Sequence, residues 1–137
     1  MTFLSDIQVK RHAGDTGEWE LTGDLIYIGR RDQFLVPTGF TTDFASIPRF
    51  FQTLIPKNGK YDAAAIVHDY LYRHQPLVAS RITRDMKRIT RKDADGIFRR
   101  IMKELGVGWF RRSLMYRAVR LGGGIPWAKS RKLLDAE

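Results

Sequence analysis

The sequence predicts an α+β domain, a small N-terminal antiparallel β-sheet followed by three main helices. Three observations carry this. The first third of the chain breaks into short apolar runs separated by turn formers. From Asp62 onward apolar residues recur at helical spacing. Between them, Pro, Gly, Thr, Asp and Ser alternate with Phe and Ile, which reads as an ordered loop and not as a linker. A length of 137 residues suits one domain with a single core. We divide it into a β-rich part (1–36), a structured loop with a short helix (37–60), a helical part (61–121) and a basic tail (122–137).

In the β-rich part, Ile7-Gln8-Val9-Lys10 alternates apolar and polar residues. Trp19-Glu20-Leu21 passes through Thr22-Gly23-Asp24 into Leu25-Ile26-Tyr27-Ile28, a glycine-containing break that signals a hairpin. Phe34-Leu35-Val36 is a further run, stopped by Pro37. Three to five short strands are expected. In the loop, Ser46 and Pro48 predict the start of a short helix through Phe50, Phe51 and Leu54. Asp62 then caps a helix that ends near His74, before Pro76. Residues 77–89 are polar and basic with scattered apolar positions, a loop with a short turn or hairpin. Thr90-Arg91-Lys92-Asp93 resembles a capping box with Asp in place of Glu. It opens a helix to about Leu105, stopped by Gly106 or Gly108, with Ile97, Ile101, Met102 and Leu105 on one face. A last helix runs from Trp109 to Leu121. Gly122-Gly123-Gly124-Ile125-Pro126 breaks it and leaves the tail.

Composition narrows the function. The chain is 43% hydrophobic and 28% charged, ordinary for a globular protein. It has no apolar run of the length a membrane span needs. No basic segment followed by an apolar stretch stands at the N-terminus, so synthesis in the cytoplasm of the cell is expected. With no cysteine there is neither a disulfide nor a thiolate metal site. The net charge of +9 comes entirely from residues 61–137; the first sixty residues balance. Arg99 and Lys103 are four apart on one helix, and Arg111 and Arg112 open the next. Such a surface suits an anionic partner: anionic lipid, nonspecific nucleic acid, or an acidic neighbouring protein in a virion. A solvated basic face explains the same residues.

The chemistry centres on Ala63-Ala64-Ala65-Ile66-Val67-His68-Asp69-Tyr70-Leu71-Tyr72. A His-Asp pair inside an apolar helix is costly unless partnered. His68 and Tyr72 share a helix face, and Asp69 is turned about 100° away. Asp95 and Phe98 share a face of the next helix. If the two helices pack, His68 and Tyr72 point at Asp95. A carboxylate then fixes the imidazole tautomer, and the other ring nitrogen takes a proton from water. Asp69 is left to hold a hard cation. An alternative stays open: His68 is a core histidine, Asp69 anchors a loop, and Asp43 and Ser46 cap turns.

His68-Asp69-x-x-Tyr72 with Ala94-Asp95-x-x-Phe98 resembles the paired-helix core of the phospholipase A2 enzymes. The resemblance covers about forty residues. It implies that His68 activates water, that Asp95 and Tyr72 orient His68, and that Asp69 binds calcium. The calcium loop of that family has only Pro37–Ser46 as a stand-in, which makes Asp43 the second candidate ligand. The disulfides of that family are impossible here. A second resemblance covers most of the chain. Gly39-Phe40-Thr41-Thr42-Asp43-Phe44-Ala45-Ser46-Ile47-Pro48-Arg49, His68-Asp69-x-Leu71-Tyr72 and Ala94-Asp95-x-x-Phe98 together resemble a phage and prophage family of unknown function. It implies a phage or prophage origin and carries no established reaction. The leading reading is a phage-encoded accessory protein, virion- or tail-associated, with a candidate hydrolase site at His68, Asp69, Tyr72 and Asp95; in the non-catalytic alternative Thr42, Ser46 and Arg49 anchor the loop. A free hydrolase of phospholipid or cell-envelope bonds and a purely structural adaptor are the other readings.

Overall fold

The structure is a computed structural model that describes residues 3–4, 9–11, 19–42 and 62–136. The expected helix at Ser46–Leu54, and with it Asp43, Ser46 and Arg49, lies outside the described residues. The described residues of 1–43 form one compact unit together with residues 77–88. Those of 44–76 form a second with residues 89–137.

Among the described residues, the strands of the first unit are all antiparallel, as expected, but they form two sheets. Strands β1 (Phe3–Leu4), β4 (Leu25–Ile28), β5 (Asp32–Val36), β7 (Leu77–Ser80) and β8 (Met86–Arg88) form one, in the order β1-β4-β5-β7-β8. Strands β2 (Val9–Arg11), β3 (Trp19–Leu21) and β6 (Thr41–Thr42) form the other, in the order β2-β3-β6. The expected β3–β4 hairpin is therefore absent. Thr22-Gly23-Asp24 carries the chain from one sheet to the other, and β4 pairs instead with β5, Leu25 opposite Val36. A glycine break between apolar runs serves a sheet change as well as a tight turn, so local pattern does not separate the two. Thr38 steadies this crossing by donating from its amide (2.8 Å) and hydroxyl (2.7 Å) to Asp24 Oδ1. Leu21, Leu25, Tyr27, Val36, Phe40 and Val78 fill the unit's core, with Tyr27 stacked on Phe34 at 4.9 Å.

Residues 77–89 resolve in favour of the hairpin. Asp32 on β5 pairs with Ser80 on β7, and Val78 with Lys87 on β8. Arg81 donates from its backbone to Arg31 O at 2.6 Å and from its guanidinium to the Gly29 carbonyl. Lys87 reaches the buried Asp32 carboxylate at 3.2 Å. Basic residues on the outer strand β8 suit a sheet edge, where charge discourages further pairing.

The second unit is helical: α1 (Asp62–His74), α2 (Arg91–Glu104), α3 (Trp109–Gly122) and α4 (Gly124–Asp135). Helix α1 is buried on every side from Ala63 to Asp69 and again at Leu71 and Tyr72. That is how a helix apolar all round must sit. It ends at Gln75, whose φ of 43° is left-handed, and Pro76 forbids continuation. Helix α2 starts at Thr90, whose hydroxyl accepts from the Asp93 amide at 3.1 Å. It buries Ala94, Asp95, Ile97, Phe98, Ile101 and Met102. Its end is a Schellman motif on Gly106 (φ 86°): the Gly106 amide donates to Lys103 O (3.1 Å) and the Val107 amide to Met102 O (2.9 Å).

The basic tail is corrected to a helix, so the described residues hold four main helices where three are expected. The chain breaks only at Gly123, whose amide closes α3 on Val119 O and whose carbonyl accepts from the Trp127 amide in α4. Pro126 falls in the first turn of α4, where a missing N–H and a fixed φ cost nothing. Gly-Gly-Gly-x-Pro therefore reads as a stop and acts as a joint. Trp127 meets Tyr72 edge to face at 5.1 Å, and Gln75 Nε2 donates to Trp127 O at 2.9 Å.

Candidate active site

Helices α1, α2 and α3 bring four polar side chains to one carboxylate. His68 and Tyr72 lie one turn apart on α1, so both face α2. His68 Nε2 stands 2.8 Å from Asp95 Oδ1, and the Tyr72 hydroxyl donates to the same oxygen at 2.7 Å. Arg120, in the last turn of α3, donates to Asp95 Oδ2 at 2.8 Å. Arg91, one turn before Asp95 on α2, lies 3.7 Å from that oxygen. Its guanidinium also donates to the Val119 and Arg120 carbonyls at the end of α3. The imidazole is flanked by Tyr72 (4.3 Å) and Phe98 (4.7 Å). Both His68 and Asp95 are 0% exposed.

The charge state follows from the partners. Burial pushes the Asp95 carboxyl up, but hydrogen bonds from His68 and Tyr72, the adjacent imidazole charge and the Arg120 guanidinium outweigh it and hold it below the usual carboxylate value. Tyr72 moves upward, first by burial and then by its bond to Asp95. The phenol stays a donor and the carboxylate an acceptor. With the carboxylate as acceptor, His68 Nε2 donates to Asp95 Oδ1. The cluster draws its side chains from three helices: His68 and Tyr72 from α1, Arg91 and Asp95 from α2, and Arg120 from α3.

The sequence-predicted residues fall into three groups. His68, Tyr72 and Asp95 meet. Asp69 is buried on the same helix, with its Oδ2 3.6 Å from Arg73, one turn along. Thr42 is a buried strand residue in β6, paired with Trp19; Asp43, Ser46 and Arg49 lie outside the described residues. Among the basic candidates, Lys103 and Arg111 are exposed. Arg99 lies 4.2 Å over the Tyr116 ring, and Arg112 donates to Val107 O at 3.2 Å. Sequence reasoning missed Arg91 and Arg120. Only Arg91 left a signal, its i,i+4 spacing to Asp95.

Calcium needs six to eight oxygens. Asp69 offers one carboxylate with a guanidinium beside it. Among the described residues no three His, Cys, Asp or Glu side chains form a metal-binding group. Asp43, the second candidate ligand, lies outside the described residues.

A family model described as "Protein of unknown function (DUF1353)" matches residues 19–119. The chain belongs to the DUF1353 family. The DUF1353 match takes in His68, Tyr72, Arg91 and Asp95 and stops one residue short of Arg120. Helix α4 lies beyond it. No curated protein and no solved structure matches the chain.

Proposed function

We propose that this DUF1353 chain is a phage-encoded accessory protein, virion- or tail-associated, whose helical unit hydrolyses an ester or amide bond of phospholipid or cell envelope. One observation carries the hydrolytic reading: an imidazole 2.8 Å from an ionised carboxylate that Tyr72 and Arg120 hold in place. His68 Nδ1 takes a proton from water, and the water oxygen adds to the carbonyl carbon. Asp95 stabilises the imidazolium that forms. The proton then passes from Nδ1 to the leaving oxygen or nitrogen as its bond to carbon breaks. The phage assignment is supported by the ordered motifs around Thr42, His68 and Asp95.

Hydrolysis of a soluble short-chain phospholipid by the pure protein tests the site. His68→Asn is expected to lower the rate by a factor of roughly 10²–10⁴, the range for a general base, with the unfolding midpoint close to that of the parent. Copurification with intact virions tests the location. A calorimetric titration with calcium tests Asp69: heat that vanishes in Asp69→Asn places an ion there, and no heat up to millimolar calcium removes calcium from the reading.

A second reading, a structural polar lock, is favoured by the full burial of His68 and Asp95. It expects no hydrolysis in the parent protein and a large loss of stability in His68→Asn.

A further inference from the structure

Helix α3 carries apolar residues on two faces. Its inner face buries Met115, Ala118 and Val119. Its outer face carries Phe110, Leu114, Arg117 and Leu121 at i, i+4, i+7 and i+11, a single stripe along the helix. Phe110 is 70% exposed and Leu121 89%, with Trp109 exposed beside them. The helix carries Arg111, Arg112, Arg117 and Arg120 and no acidic residue. Helix α4 repeats the pattern. It buries no residue, and Ile125, Lys129, Lys132 and Leu133 form its outward stripe, with Ile125 82% exposed. Its one acid, Asp135, is held by Arg131 at 2.7 Å.

We propose that the outer faces of α3 and α4 dock on an anionic phospholipid bilayer. Aliphatic and aromatic side chains in a row, flanked by arginine and lysine, are what the headgroup boundary accommodates: apolar groups enter the acyl region and the cations meet phosphate. Leu121, Ile125 and Leu133 have no role on a phosphate backbone, where cations and stacking rings suffice. Both stripes are exposed, and α4 follows α3 directly in sequence. The surface does not depend on the hydrolytic reading; if that reading holds, it brings the site to a lipid phase.

The test is cosedimentation of the full chain with vesicles of phosphatidylcholine alone or mixed with phosphatidylglycerol. Binding is expected on the mixed vesicles only, and it weakens as salt is raised. Phe110→Ser with Leu121→Ser should reduce partitioning by at least about tenfold, and Arg117→Glu should reduce it further. These side chains are solvent-exposed, so an unchanged unfolding midpoint identifies the loss as one of binding. His68→Asn should bind vesicles as the parent does. The serine variant should hydrolyse soluble short-chain lipid at the parental rate, so the two proposals fail separately. No binding to mixed vesicles at low salt overturns the inference. So does binding that the serine variant retains, or a dimer or DNA complex that the serine variant abolishes while vesicles stay unbound.

Discussion

Asp95→Ala should lower the unfolding free energy by about 3–5 kcal/mol, the usual cost of stranding a buried charge. The carboxylate is shared by His68, Tyr72 and Arg120 at 2.7–2.8 Å, and all three keep their polar groups when it goes. Arg120 and Arg91 then face one another across the end of α3 without the anion between them. Urea unfolding at neutral pH measures the loss. Asp95→Asn should fall between, since an amide still accepts from Tyr72 but brings no charge to Arg120. The pH dependence has a definite sign. The folded-state pKa lies below the ordinary value of 3.8. The Asp95 contribution is therefore complete above that value and is lost as pH falls through the folded one. The stability difference between parent and Asp95→Asn should close in acid. A difference that stays constant to low pH would mean that the folded carboxyl is not the group titrating.

Gly123→Ala should be the second large effect, about 1–3 kcal/mol or more. A Cβ at Gly123 runs into the Tyr72 hydroxyl and the Val119 carbonyl. The backbone there has φ −82°, ordinary for any residue, so the loss is steric and not conformational. Tyr72 cannot yield without leaving Asp95, so hydrolysis and stability should fall together. Gly124→Ala is the control. Nothing lies within 4 Å of its Cβ, and in a helix alanine is favoured over glycine by up to about 1 kcal/mol. Urea midpoints that move in opposite directions for the two neighbours would confirm the contact; equal shifts would remove it.

Much of the site was legible in the sequence because helix geometry is local. His68 and Tyr72 had to share a face, and Asp95 sat on the next amphipathic helix. Arg120 was not legible. It is one of four arginines on α3, and only the angle at which α3 crosses α2 singles it out. The same limit applies to β3 and β4. Their residues form strands as expected, but whether a three-residue break turns the chain back or carries it to another sheet is decided by partners far along the chain. Helix α4 differs in kind: a run of three glycines before a proline has the local pattern of a stop, yet the break is confined to Gly123 and Pro126 sits in a first turn that tolerates it.

The hairpin at 77–88 has a consequence for the order in which the protein is made. Strand β5 pairs with β7, Asp32 with Ser80, and all of α1 is synthesised between them. While α1 leaves the ribosome, β5 presents an open edge at Asp32 and Gln33, the residues that β7 later covers, and an open edge is the kind that recruits other chains. Neither unit is a continuous stretch of sequence. A fragment stopping before Leu77 would keep that edge open permanently, and one starting after Arg88 would lack α1 and half of the His68–Asp95 pair. The two halves are inseparable by any single cut, and long-range pairing of this kind folds slowly.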